Sequence, residues 1–207
     1  YNRKMKQKPV LILGAGGHAK VVSEILALNG REILGYIAPH LKVGTSFNGK
    51  SILGDDTTIL NYSADTIELA NGIGALPDQH LRWRLAGEMR EDGYTFVTLI
   101  HPSAVISDSV ILEEGAQVMA GSVIQSSTIV GQDTIINTSS SIDHDCIIAE
   151  RCHIAPGVVC SGNVNIESGT HIGVGVTIIQ GINIGKKCII AAGAVVYKNI
   201  QDGVKLI

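Results

Sequence analysis

The 207 residues carry 16 lysines and arginines against 19 aspartates and glutamates, a net charge of −3, and only 4% aromatic residues. That balance excludes a basic field suited to nucleic acid, and no apolar stretch approaches the ~20 residues of a membrane span. The first eight residues are polar and basic without the apolar segment of a signal peptide, which points to the cytoplasm; the chain opens on Tyr1, with Met5 as a candidate native start.

Val10 to Leu13 reads as a buried strand that ends in Gly14-Ala15-Gly16-Gly17-His18-Ala19, and an amphipathic helix is predicted from about Lys20 to Leu28. A glycine-rich turn between strand and helix lets backbone amides approach a phosphate or carboxylate at the helix N-terminus. A second strand is expected from Ile33 to Ile37, then a turn-rich stretch to Asp56 and a third strand near Thr66 to Ala70. Asp78 to Glu91 reads as a helix with Leu81, Leu85 and Met89 on one face, and Tyr94 to Leu99 as the last strand. Alternating strands and helices predict a small Rossmann-like α/β domain with a parallel sheet over residues 8–99. The pattern Gly14-x-Gly16-x-x-Ala19 matches a relaxed dinucleotide fingerprint. Ile37-Ala38-Pro39, however, stands where an acid would bind a ribose, which argues against NAD.

His101-Pro102 marks a junction, and a second domain is expected over residues 100–201. From Ile100 to Val196 every sixth residue is Ile, Leu or Val, Cys160 alone excepted, and no insertion breaks the count. A helix repeats apolar residues near 3.6 and a simple strand near 2, so a period of six means short strands separated by regular corners. Four places after each aliphatic sits a small or β-branched residue, among them Ala116, Ser122, Thr128, Thr134, Ser140 and Cys146. This hexapeptide signature resembles that of the left-handed parallel β-helix, in which three hexads make one triangular coil. Residues 18 apart then stack at about ~4.8 Å. Smooth faces without inserted loops place any cleft between one prism and another, which favours a homo-oligomer. Cys146, Cys152 and Cys188 take inward small-residue positions and Cys160 an aliphatic one, so all four read as buried thiols rather than nucleophiles. His40 and His80 carry no motif and are expected on the surface; His101 reads as a start signal for the repeat.

The chemistry concentrates at Asp143-His144-Asp145, where an outward histidine has a carboxylate on either side. An imidazole held by a carboxylate keeps one tautomer and gains basicity, as a general base near neutral pH requires. The spacing alone serves equally for a solvated corner histidine.

The stretch IINTSSSIDHDCIIAERCHIAPGVVCSGNVNI, with GAGGHAK near the start and LIHPSAVIS at the junction, resembles the bacterial sugar acetyltransferases over nearly the whole chain. That family includes sialic acid O-acetyltransferases and the N-acetyltransferases of bacillosamine and perosamine biosynthesis. The resemblance implies a homotrimer that uses acetyl-CoA without a metal on a nucleotide-linked sugar. It makes His144 the general base, with Asp145 raising its basicity and Asp143 a corner residue. It associates His153 with the thioester end of acetyl-CoA and the backbone at Val174 and Ala192 with the pantetheine arm. It also places Gly16, Gly17, His18, Asn137 and Gly162 near the sugar or its nucleotide. The absence of aspartates after the second strand departs from many relatives and leaves the nucleotide open, and His18 serves equally as a solvated helix-start residue.

A 4-amino-4,6-dideoxysugar acetylated on nitrogen is the expected substrate, in surface-glycan biosynthesis, because DHD with VMAG and INT upstream most resembles the N-acetyltransferases. A sialic-type sugar acetylated on oxygen is the alternative. His153 and His171, 18 apart, also suggest a zinc hydratase on the same prism, and a regular prism without chemistry suggests a scaffold.

Overall fold

The computed structural model describes residues 7–77 and 80–206. The described residues form two units, one of residues 7–74 with 80–97 and the other of residues 75–77 with 98–206.

In the first unit, strand β1 (Val10–Leu13) has all four side chains buried, as an interior parallel strand must. It pairs in parallel with β2 (Ile33–Ile37) on one side and, beyond the hairpin of β3 (Ser46–Phe47) and β4 (Lys50–Gly54), with β5 (Glu68–Asn71) on the other; the sheet order is β3-β4-β2-β1-β5. Helix α1 (Gly17–Leu28) buries Ala19, Val22, Ile25 and Leu26 at helical spacing. A second cluster gathers Leu11, Leu13, Ile37, Ile59 and Leu69 with Leu85 and Met89 of α2 (Leu81–Glu91) and with Tyr94 and Phe96. The buried Tyr94 hydroxyl donates to the carbonyl oxygens of Ile59 (3.0 Å) and Tyr62 (2.7 Å), which pins the 3₁₀ turn Asp56–Asn61 against this cluster.

Four expectations change here. Helix α1 starts at Gly17, not Lys20, so Gly17 and His18 lie in its first turn, behind Gly16 as N-cap. The turn-rich stretch contains the antiparallel β3–β4 hairpin, closed by Asn48 (φ 44°) and Gly49 (φ 78°), both in the left-handed region that such tight turns demand. Helix α2 is described from Leu81; Asp78 and Gln79 lie outside the described residues, and Leu81 is exposed rather than on the buried face. Tyr94 to Leu99 is not one strand: Phe96 makes an isolated bridge to Leu69, while Leu99–Ile100 already belongs to the prism.

The second unit is a parallel β-helix of two-residue strands on three faces, with sheets of six, five and seven strands. Pairing follows the 18-residue register up to Val196, as in Ile136 with Ile154 and Ile154 with Ile172; the last coil is two residues shorter and pairs Ile189 with Lys205 and Ile190 with Leu206. The inward aliphatics from Val118 to Val196 are buried. Ile100 is the exception at 39% exposure, because it stands in the first coil with no earlier coil to cover it; Ile106 and Leu112 are partly buried for the same reason. A last strand, Lys205–Leu206, extends the seven-stranded face beyond Val196.

Two regularities explain how polar residues fit this interior. At the small inward position, Ser or Thr donates its hydroxyl to the corner carbonyl 15 residues later: Ser122 to Asn137, Thr128 to Asp143, Thr134 to Ala149, Ser140 to Ala155 and Thr170 to Gly185, at 2.7–2.9 Å. Cys146 and Cys152 place a thiol in the same role, at 3.2–3.3 Å, and Cys188 does so at 3.1 Å to the carbonyl of Gln201, 13 residues on, in the shorter last coil. Burial pushes the Cys152 thiol up to about 12, so it stays protonated as a donor should. The second regularity is backbone: from Gly115 to Gly193 every sixth residue has positive φ, and where it is not glycine it is Ser127, Asp133, Ser139, Asp145, Arg151, Asn163 or Lys187. Each corner turns through one left-handed residue, a conformation most L-residues adopt only at a cost of about 1–2 kcal/mol.

Candidate active site on the prism corners

His144 sits on the corner between the six-stranded face, which holds Ser141–Ile142, and the five-stranded face, which holds Ile147–Ile148. Its neighbour Asp145 is the left-handed corner residue (φ 58°). Its imidazole Nδ1 lies 2.7 Å from Asp145 Oδ2, and its backbone N–H donates to Asp143 Oδ1 at 2.8 Å. A carboxylate only accepts, so Nδ1 carries the proton and Nε2 presents its lone pair. The Asp145 hydrogen bond, and next the Asp143 charge, hold the imidazole above its ordinary 6.5. Side-chain exposure of 59% leaves the ring open to a reactant.

Gly162 lies one coil on, 18 residues from His144. A Cβ placed there would come within 2.7 Å of both Cε1 and Nε2 of the imidazole. The Gly162 backbone is not in the left-handed region, so what this position excludes is a side chain, and the space goes to the histidine.

Asn137, His153, Val174 and Ala192 belong to a different edge. Asn137 opens the corner between the seven- and six-stranded faces, Val174 and Ala192 stack 18 apart on that same corner, and His153 lies on the seven-stranded face beside it. Val174 is 55% exposed, and the Gly193 N–H donates to its carbonyl at 2.8 Å. His153 Nδ1 lies 2.7 Å from the Ala75 carbonyl oxygen and Nε2 lies 3.2 Å from Asn137 Nδ2. The prism thus groups four of the expected residues on one edge and sets His144, Asp145 and Gly162 on the next.

His153 and His171 do stack, edge to face with ring centres 4.7 Å apart, and burial lowers the His171 pKa. Both nitrogens of His153 are nevertheless engaged, and among the described residues no group of three or more His, Cys, Asp or Glu is placed to hold a metal ion.

In the first unit, Gly14 needs its glycine twice over, with φ 90° and Ile73 3.0 Å from a Cβ. Gly16 and Gly17 are exposed, and nothing lies within 4 Å of a Cβ placed on either, so protein packing does not explain them. His18 is half-buried in the first turn of α1. Ala38, where an acid would bind a ribose, is fully buried. His40 and His80 are exposed, and His101 Nδ1 accepts from the Ser103 N–H at 3.0 Å.

Sequence reading missed two features of the site. One is the Ala75 carbonyl, brought to His153 from 78 residues away, for which no local signal exists. The other is the role of Gly162 beneath the imidazole, which the 18-residue register signals directly.

Residues 9–89 match the family described as the PglD N-terminal domain, and residues 127–162 match the bacterial transferase hexapeptide family of six repeats. The chain is 33% identical over 113 residues to the UDP-N-acetylbacillosamine N-acetyltransferase of Bacillus subtilis, a match spanning 55% of this chain and about half (52%) of that protein. It is 29% identical to the GDP-perosamine N-acetyltransferase of Escherichia coli O157:H7 over 75% of this chain and 71% of the relative. Among solved structures, a histidine-to-alanine mutant of GDP-perosamine N-acetyltransferase from Caulobacter crescentus, in complex with CoA and GDP-perosamine, aligns with TM-score 0.87 at 36% identity, covering 94% of this chain and 91% of that one. The acetyltransferase domain of PglB from Neisseria gonorrhoeae, in complex with acetyl coenzyme A, aligns with TM-score 0.87 at 30% identity, covering 96% and 95%. With a relative at 36% identity covered almost end to end, this chain belongs to the acetyl-CoA-dependent, hexapeptide-repeat sugar N-acetyltransferases of the bacillosamine and perosamine type.

Proposed function

We propose that this protein transfers the acetyl group of acetyl-CoA to the amine of a nucleotide-linked 4-amino-4,6-dideoxysugar, in surface-glycan biosynthesis, with His144 as general base. The observation that carries the reading is the Nδ1 contact of His144 with Asp145, which leaves Nε2 exposed above side-chain-free Gly162. The sugar nitrogen attacks the thioester carbonyl carbon, His144 Nε2 takes the proton from that nitrogen, and the C–S bond breaks to release CoA. Asp145 steadies the imidazolium that forms. The four cysteines are buried and the one-step route needs no covalent acyl-enzyme.

His153, Val174 and Ala192 are assigned to acetyl-CoA, and Gly16, Gly17 and His18 to the nucleotide-sugar, whose phosphates suit exposed amides at a helix start. GDP-perosamine and CoA in the Caulobacter complex support this pairing of substrates. A homotrimer fits the division of the site between two edges, since a neighbouring copy would set its own edge beside His144. Exposed Val105, Val159 and Val195 on the six-stranded face, and Ile111 and Ile147 on the five-stranded face, supply apolar surface for such packing.

The test is acetyl-CoA consumption measured across UDP-, GDP- and CMP-linked amino sugars and free sialic acids, beside sedimentation of the protein. Turnover restricted to a nucleotide-linked amino sugar by a trimer is expected; turnover of free sialic acids alone overturns the nitrogen assignment. Because a raised imidazole pKa means His144 stays protonated to higher pH, kcat/KM should climb with pH through a midpoint above 6.5. Asp145→Asn should bring that midpoint down towards 6.5 and lower the plateau, both readable from one pH series.

A further inference from the structure

We infer that Arg82, which belongs to none of the motifs above, is a positioning residue for the nucleotide-sugar: it latches loop 71–74, against which the glycine turn and the start of α1 are packed. This deepens the acetyltransferase reading and rests on it for the ligand.

Stability does not account for an arginine at this position. Arg82 has no exposed surface and lies in the first turn of α2. Burying a guanidinium is costly, and an apolar side chain of similar volume is often as stable or more so. A cation in the first turn of a helix also meets the positive end of the helix dipole. What Arg82 does is bind backbone. Its Nη1 donates to the carbonyl oxygens of Asn71 at 2.9 Å and Ile73 at 2.7 Å. The Asn71 side chain closes the latch from the other side: Nδ2 donates to the Arg82 carbonyl at 3.0 Å, and Oδ1 accepts the Ile73 N–H at 3.2 Å.

The latched loop is the packing surface of the turn assigned to the ligand. Strands β1 and β5 are parallel, so the loops that follow them leave the same carboxyl edge of the sheet, where open α/β sheets bind ligands. The Gly72 N–H donates to the Leu13 carbonyl at 2.8 Å. Ile73 lies 3.0 Å from where a Cβ of Gly14 would stand, Ala19 of α1 lies 2.8 Å from that of Gly72, and His18 Cβ lies 3.9 Å from that of Gly74. Gly14, His18 and Ala19 bracket Gly16 and Gly17, so a shift of the loop moves the exposed amides that phosphates would meet. With Arg82 in place those amides are set before the ligand arrives. Without it, binding must also supply the ordering of the loop.

The test is Arg82→Met, which keeps the bulk and removes every donor, read by steady-state kinetics and amide hydrogen exchange. The KM for the UDP- or GDP-linked amino sugar that the protein turns over should rise about 10- to 100-fold, as ordering one or two backbone residues requires. The kcat at saturation and the KM for acetyl-CoA should stay within about threefold, a split that general damage to the fold would not give. Arg82→Lys, whose ammonium can still donate to both carbonyls, should recover most of the affinity. The Gly72 and Ile73 amides should exchange faster in Arg82→Met, with those of β1 and of the prism still protected. An unchanged sugar KM, equal losses in kcat and both KM values, no recovery with lysine, or unchanged exchange at Gly72 and Ile73 overturns the assignment. Should Arg82→Met not fold, Arg82→Gln, which keeps an amide donor for one carbonyl, takes its place with the same direction expected in KM and exchange. An unmutated protein with no turnover would count against the acetyltransferase reading, while amide exchange would still decide whether Arg82 holds the loop.

Discussion

The prism and the α/β unit solve the burial problem in opposite ways. In the prism every inward position recurs at 6 and every neighbour at 18, so each residue type is fixed by its place in the hexad. In the α/β unit each position is used once, and Gly14, Gly16 and Gly72, at one loop-rich end of the sheet, differ in what requires glycine there. A Cβ on Gly72 would strike Ala19 and Ile12 at 2.8 Å, Gly14 has a left-handed backbone, and Gly16 has neither constraint. The difference teaches where to look for function. In a repeat, a functional residue shows as a departure from what the hexad needs, as at His144 over Gly162. In the single-use unit it shows as a residue whose identity packing leaves unexplained, as at Gly16 and Gly17.

Four substitutions sharpen or break that contrast. The largest effect is expected from His144→Ala, a corner change that should cut kcat by about 10² to 10⁴ while the thermal midpoint stays put. Full activity in this variant would remove the histidine from its role. Gly162→Ala comes next: the added methyl must push the imidazole aside, and a displacement on the order of 1 Å at a reacting group costs about 10²-fold. Circular dichroism should show the fold intact, whereas an unfolded variant would mean that the hexad, not the histidine, demands glycine here.

Within the repeat itself, Thr134→Val should cost about 1–3 kcal/mol in denaturant titration. It strands the Ala149 carbonyl and the Cys152 N–H, both of which now bond the hydroxyl. The smallest effect on stability belongs to Gly16→Ala in the other unit, within about 0.5 kcal/mol, since no protein atom meets the new methyl. Its informative readout is nucleotide-sugar affinity by calorimetry. A clear loss there shows that the ligand's approach keeps this position bare; unchanged affinity returns Gly16 to an ordinary exposed turn.

The prism was legible in the chain because one rule is written into it repeatedly, and an error at one hexad is corrected by the next. Its outward histidine and flanking acids were legible for the same reason. Less visible was the backbone rule, although Gly115, Gly121, Gly157 and Gly169 fall on the sixfold beat that Asp145 shares. In the α/β unit the central strands β1 and β2 follow from their apolar runs, but the start of α1 is obscured because glycines carry little helical preference. The β3–β4 hairpin is hard to read despite Asn48-Gly49, a strong turn signal, because its first strand is only two residues long. The pairing of Ala75 with His153 had no trace in any local pattern, being a tertiary contact between segments that share no periodicity.

The 18-residue register, unbroken up to Val196, also sets the terms on which this protein changes length. Loss or gain of one residue between Val118 and Val196 would turn every later side chain out of phase, sending aliphatics to water and corner residues inward. Excision of a full turn, by contrast, restores the phase and shortens the column by a single storey. Viable length variants of the prism should therefore come in whole storeys, with the α/β unit free to vary residue by residue in its loops.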